Sequence, residues 1–262
     1  MKPTQPPVIL KAAPDTLPAM LAFLNLPLTA DTHTDLLAKA AKDDISHETF
    51  LKRILSIEVA AKFERQVQSR IKQARFDVIK TLDTFDWAHP TAIPRAKILQ
   101  AFELRFIEKQ EGLVFIADNG LGKTHLATAL GHKAALAGVR TLFTKAVDMV
   151  NHLQASQADH SLHKTMKIYT LPTLLIIDEL GRLSLDQKQG EFLFNVVDAR
   201  YERVSTVITT NRAFKDWGKI FHDMVCAKGI IDRLVHHSDL VRIEGTSYRL
   251  KNRKTQSLAE SD

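Results

Sequence analysis

The stretch that most limits what this chain can fold into is Ala117-Asp118-Asn119-Gly120-Leu121-Gly122-Lys123-Thr124. It comes after an apolar run, Gly112 to Ile116, and opens a helical pattern from His125 to Ala137. Strand, glycine-rich turn, Lys-Thr and helix is the order that builds a phosphate-binding loop. The glycines let backbone N–H groups converge on phosphate oxygens, and the helix N-terminus adds unpaired donors. In such a loop Lys123 reaches the β- and γ-phosphates and the Thr124 hydroxyl holds Mg²⁺. One position departs from the pattern G-x-x-x-x-G-K-[ST]: Ala117 stands where the first glycine belongs. Support has to come from downstream.

It comes from Leu174-Leu175-Ile176-Ile177-Asp178-Glu179, four aliphatics and then two carboxylates. Asp178 is placed to hold Mg²⁺, and Glu179 to polarise the water that attacks the γ-phosphate. A capping or surface-turn pair is the bland alternative. The next apolar run, Thr206 to Thr210, ends in Asn211, whose carboxamide could position both γ-phosphate and water, although Asn after a strand is also a common turn residue. Ligands in open α/β sheets bind outside the carboxyl ends of the strands, which is where these groups fall.

The apolar runs are Leu113 to Ala117, Thr141 to Thr144, Thr173 to Asp178, Thr206 to Thr210 and Leu240 to Ile243. Helix-length segments at 123–137, 146–168 and 186–203 separate them, and a further helix is expected from Arg95 to Ile107. Near-continuous apolar strands alternating with helices predict an α/β fold with a buried parallel sheet flanked by helices. Upstream the pattern is all-α. A helix is expected from Thr16 to Leu24, a second from Thr32 to Lys42 capped by Asp31 or Thr32, and a long third from Ser46 toward Arg75. In the third, Phe50, Leu51, Ile54, Leu55, Phe63, Val67 and Ile71 predict one buried stripe. Prolines interrupt the pattern at 83–94, which reads as a linker. The expected division is a helical domain over 1–90, an ATPase domain over 91–254 and a disordered tail over 255–262, with a proline-rich arm up to residue 14.

A net charge of +6 and a pI near 9.3 fit a polyanionic partner but do not demand one. Lys62, Arg65, Arg70, Lys72 and Arg75 gather along the third helix, where they could lie along a DNA backbone or simply form a solvated face. Tyr248 to Lys254 adds four cations without an acid, with the same two readings. The single cysteine, Cys226, excludes an internal disulfide. No apolar run approaches the ~20 residues of a membrane span, and nothing resembles a secretory signal, so a cytoplasmic protein with no membrane partner is expected. Arg233 could be an arginine finger, or a helix arginine paired with Asp232 or Asp239; the residues alone favour the pair. His236 and His237 are adjacent, project to different helix faces and have no Cys or carboxylate at ligand spacing, so a zinc site is not expected there.

Taken in order, Gly120 to Ala127, Leu174 to Gly181, Tyr201-Glu202-Arg203, Thr209-Thr210-Asn211, Asp216-Trp217-Gly218, Asp232-Arg233-Leu234 with His236-His237, and Gly245 to Leu250 resemble the IstB-like ATP-binding proteins. These are helper ATPases of insertion-sequence transposition, of the AAA+ class and related to the helicase loader DnaC. Leu82 to Asp86 resembles the end of their N-terminal domain. The resemblance implies a P-loop AAA+ core binding ATP and Mg²⁺ through Asn119, Gly120, Leu121, Gly122, Lys123, Thr124 and His125, with Asp178 as second metal ligand and Glu179, Asn211 and Arg233 as catalytic groups. It also implies assembly on double-stranded DNA, homo-oligomers with nucleotide between subunits, an Arg233 acting in trans, and a transposase of the same element as partner. Family loops begin Gly-Pro-Pro or similar, whereas this one begins Ala117-Asp118-Asn119; an extra carboxylate beside phosphates would weaken binding unless Asp118 faces solvent. Two alternatives stand beside this reading: a DnaC-like replicative helicase loader, and a DNA-binding scaffold with a weakened nucleotide site.

Overall fold

A computed structural model describes residues 14–182, 184–221 and 224–248. The expected arm up to residue 13, the cations beyond Tyr248 and the tail at 255–262 lie outside the described residues. The chain divides into two compact units within one helix, between Gln66 and Val67.

In the first unit, α1 spans Leu17–Phe23 and α2 Pro27–Lys42, and α3 spans His47–Ala74 across the division. The second helix starts five residues before the expected Thr32, because Pro27 supplies a helical φ at its first turn. Thr32 is inside that helix, its Oγ1 donating to Leu28 O at 2.7 Å. The long helix has the expected span, with Glu48 in its first turn. Its stripe is a different matter. Leu51, Leu55 and Phe63 are 56%, 45% and 58% exposed, so the apolar face is not buried as the spacing predicts. The period is right, but so small a unit lacks the surface to cover so long a helix. Its buried polar pair is Glu58, whose Oε1 accepts from Thr29 N at 2.7 Å.

The second unit holds α4 (Arg95–Ala101), α5 (Arg105–Glu108), β1 (Gly112–Ala117), α6 (Lys123–Leu136), β2 (Thr141–Lys145), α7 (Ala146–Ala158), α8 (Leu162–Thr170), β3 (Leu174–Asp178), α9 (Gln187–Arg200), β4 (Ser205–Thr210), α10 (Met224–His236) and β5 (Ser238–Ile243). The strands form one sheet in the order β2-β3-β4-β1-β5, with every pairing parallel. Period-two alternation sends Val114, Ile116, Leu175 and Ile177 into one core and Leu113, Phe115, Leu174 and Ile176 into the other. Helices cover both, which is why the strands read as unbroken apolar runs. Two expected helices are each broken in two. Leu104, at φ 65°, separates α4 from α5. Asp159, which accepts from Ser161 N and Oγ at 3.0 and 2.6 Å, turns the chain between α7 and α8.

The proline-rich stretch at 83–94 is no linker between the units. Phe85, 8% exposed, belongs to the same core cluster as Leu121 and Leu126, and the compact division lies upstream. An aromatic anchor in irregular chain carries no periodic signal, which is why the residues gave no hint of it.

Candidate functional site

The sheet order puts β4 between β1 and β3, so the loops leaving those three strands open onto one cleft. The cleft is a cavity of ≈ 730 Å³ lined by Asn119 to His125, Asp178, Glu179, Asn211 and, from the stretch 77–90, Phe85 and His89 among others. Gly120 and Gly122 turn the loop with φ of 82° and 84°, a region that a side chain rarely enters. At Gly122 a Cβ would also come within 2.5 Å of the Phe85 ring. Ala117 ends β1 in register with Ile243, without positive φ, so the backbone there does not require glycine. Asp118 is exposed, and neither residue lines the cavity.

Lys123 is only 8% exposed and donates from Nζ to Ala117 O and Asp118 O at 2.7 and 2.8 Å. Thr124 Oγ1 donates toward both carboxylate oxygens of Asp178 at 3.0 Å each, and Thr209 Oγ1 donates to Oδ1 of the same carboxylate. Burial pushes the Asp178 carboxyl up from the ordinary range, against the pull of the two hydroxyl donors. Glu179 sits in the left-handed region at φ 59°, its N–H held by Thr209 Oγ1 at 3.0 Å and its carboxylate by Arg182 at 2.7 Å. Strained φ of this kind gathers at functional sites. Asn211 Oδ1 is buried without a hydrogen-bond partner and lies where a Cβ on Gly181 would meet it at 2.0 Å.

His125 lines the cavity, but its Nε2 is engaged with Thr81 O at 2.8 Å, which ties the stretch 77–90 down over the loop. Leu121, 2% exposed, is a core residue that fixes the loop rather than a polar contact. Residues to which the sequence assigns no role at the cleft complete it. Thr209 clamps Asp178 and Glu179 together; it stands in a motif that assigns it no role. Tyr248 N donates to Gly120 O at 3.0 Å, and its ring meets His89 edge-on at 4.8 Å. Lys145, paired in register with Asp178, bridges to Asp77 at 2.7 Å.

Arg233 is not at the cleft. It stands on α10 against Asp198 of α9, with Nη2–Oδ1 at 2.6 Å, and its guanidinium lies 4.7 Å from the Phe194 ring centre. The paired-helix reading describes its surroundings, with Asp198 in place of Asp232 or Asp239. Of the cations named for DNA, Lys62 and Arg65 are exposed in the first unit, and Lys72 and Arg75 in the second. Arg70 is half-buried, with Nη1 buried and unpartnered.

Comparison with known proteins decides the family. The model of the IstB-like ATP binding protein matches residues 19–256. The chain belongs to the IstB-like ATP-binding family. It is 36% identical over 239 residues to the protein named for ATP binding in insertion sequence IS5376 of Geobacillus stearothermophilus, covering 91% of this chain and 95% of that one. Its counterpart in insertion sequence IS21 of Pseudomonas aeruginosa is 37% identical over 219 residues, covering 84% and 83%. Among solved structures, that of the DnaC helicase loader aligns with a TM-score of 0.53 at 23% identity, over 63% of this chain and 96% of that one. The fold is the P-loop AAA+ architecture, preceded by a helical N-terminal region. No helix among the described residues is long and apolar enough to cross a membrane.

Burying Asp178 has a measurable cost. A carboxyl whose folded pKa is raised binds protons more readily in the folded than in the unfolded chain. Its contribution therefore disfavours folding at neutral pH, and that penalty is lost as pH falls through the raised value toward the ordinary carboxylate range. Asp178→Asn is accordingly expected to melt higher than wild type at pH 7 without nucleotide, and the difference to shrink as the pH is lowered. A lower melting temperature at pH 7 would contradict this electrostatic account.

Proposed function

We propose that this chain is a Mg²⁺-dependent, DNA-stimulated ATPase that assembles on double-stranded DNA and recruits or stimulates the transposase of its own insertion sequence. The observation that carries the nucleotide part is the convergence of Lys123, Thr124, Asp178, Glu179 and Asn211 at the carboxyl ends of three adjacent strands. The groups present fit ATP and a hard cation. Two left-handed glycines expose backbone donors, a hydroxyl meets a carboxylate as an oxygen ligand pair, and a buried amide oxygen lacks a partner. Thr124 and Asp178 would hold Mg²⁺, which when bound supplies charge neutralisation between the β- and γ-phosphates.

The protein's own groups do the rest. Lys123 donates to two loop carbonyls, and would exchange these bonds for phosphate oxygens. Glu179 would leave Arg182 and take a proton from the attacking water, while Asn211 orients that water and the γ-phosphate. Arg233, which does not line its own chain's cleft, would act on a neighbouring subunit's nucleotide. Asn119, Gly120, Leu121, Gly122 and His125 shape the loop around the phosphates. Lys62, Arg65, Arg70, Lys72 and Arg75 are the proposed DNA contacts, and a cytoplasmic location goes with that partner. The named context of the relatives, insertion sequences at 36% and 37% identity, supports transposition over helicase loading, which rests on fold alone.

Electron microscopy with duplex DNA, with and without a non-hydrolysable ATP analogue, tests this reading. Nucleotide-promoted assemblies are expected, absent in Lys123→Ala. Their affinity should fall with salt by about 0.9 in log–log slope for each phosphate neutralised. Assembly indifferent to nucleotide and to Lys123→Ala would sink the proposal.

A further inference from the structure

The pair His236-His237 does not behave as adjacent helical residues should. His236 is the last residue of α10, and His237 has already left the helix, its carbonyl accepting from Gly112 N at 2.6 Å. The side chains therefore do not diverge as they would within a helix; the two rings lie 4.2 Å apart at 90°. A carboxylate arrives from elsewhere in the chain. Glu202, just beyond α9, is held in the left-handed region at φ 55°. One ring nitrogen from each histidine and one oxygen of Glu202 lie within 4.8 Å of one another. Among the described residues this is the one group of three His, Cys, Asp or Glu side chains that meets that condition.

The close pair within it is an ion-pair contact whose geometry lies off the hydrogen-bond line. His237 Nε2 is 2.7 Å from Glu202 Oε1, yet the nitrogen is buried and finds no partner of hydrogen-bond geometry. At that distance the two groups are in ion-pair contact, and a cation between them would have to part them to the wider spacing of zinc ligands. The Tyr201 hydroxyl lies 2.7 Å from His236 Nδ1, a hydrogen bond that orients the ring as outer-shell partners orient metal-bound histidines.

We propose that Glu202, His236 and His237 form a binding site for a divalent transition metal of the zinc class, distinct from the nucleotide cleft. Two imidazoles and a carboxylate are a donor set that suits Zn²⁺, with further positions left to water or to a neighbouring molecule. The metal would staple the end of α9 to the end of α10. The Tyr201 ring also faces Arg233, whose guanidinium is 5.8 Å from its centre, so the staple would stiffen the corner that presents this arginine.

The test is titration of tag-free, chelator-treated full chain with Zn²⁺ alone, read by calorimetry and by the rise in melting temperature. The absorption of Co²⁺ in place of Zn²⁺ reports the ligand geometry. One equivalent is expected for wild type and for Asp178→Asn, with Glu202→Gln and His236→Ala each at least about 10-fold weaker. The melting temperature of wild type should rise with Zn²⁺ and that of Glu202→Gln should not. Both substituted residues are exposed, and matching metal-free melting curves establish that the variants fold. No stoichiometric uptake by wild type, or uptake unchanged in both variants, would overturn the site and leave only the contact between Glu202 and His237.

Discussion

Glu179→Gln is expected to bind ATP as wild type does and to hydrolyse it about 10²-fold more slowly, the lower end of what a positioned general base contributes. The variant is nearly isosteric, and the backbone N–H of residue 179 would still donate to Thr209 Oγ1, so the strained φ of 59° and the cleft's shape should persist. What disappears is the acceptor for the water proton. Arg182 holds that carboxylate at 2.7 Å, which offers a control. If Glu179 acts as the base, Arg182→Ala frees it and costs little; if the ion pair itself shapes the cleft, Arg182→Ala is as slow as Glu179→Gln. Nucleotide affinity by fluorescence titration, beside single-turnover hydrolysis, separates binding from chemistry. Equal turnover in Glu179→Gln and wild type would remove Glu179 from the mechanism.

Arg200→Leu is expected to be the most damaging single change away from the cleft. The side chain is 1% exposed and has no carboxylate partner among the described residues. Its guanidinium instead donates to the carbonyls of Tyr169, Thr170, Pro172 and Ser205 and to Thr206 Oγ1, tying the turn between α8 and β3 to the start of β4. Burial, with Arg140 nearby, pushes its pKa down to about 9. Leucine relieves that desolvation but strands several buried carbonyls, each worth roughly 1–3 kcal/mol when left unpaired. A net loss of about 3 kcal/mol is expected, or a melting temperature lower by roughly 6–12 °C for a unit of this size. Lysine should not rescue it, since one ammonium cannot span the same set of acceptors. A change of less than ~1 kcal/mol for Arg200→Leu, measured by urea unfolding, would show that the carbonyls find other partners.

Much of the fold is legible in the residues, for physical reasons. A parallel sheet covered on both faces leaves unbroken apolar runs, and all five strands stand where those runs do. The phosphate loop, Asp178 with Glu179, and Asn211 come directly after strand ends, so adjacency in the chain carries their geometry. Features that depend on distant partners are not legible. Phe85 lies over Gly122 from a stretch whose prolines suggest a linker, Thr209 reveals its role only through Asp178, and Glu202 meets two histidines far along the chain. The stripe on α3 shows the converse: the period predicts a helix with an apolar face but not what covers it.

The roof of the cleft matters for anyone dividing this chain. A fragment beginning after Pro90 would retain the glycine loop, the carboxylates and Asn211. It would lose Phe85 over Gly122, the anchor of His125 on Thr81 and the His89 ring beside Tyr248. The core would lose the Phe85 ring that packs into it. The compact unit that holds the whole cleft starts at Val67, inside a helix, where no periodic break in the residues marks a boundary.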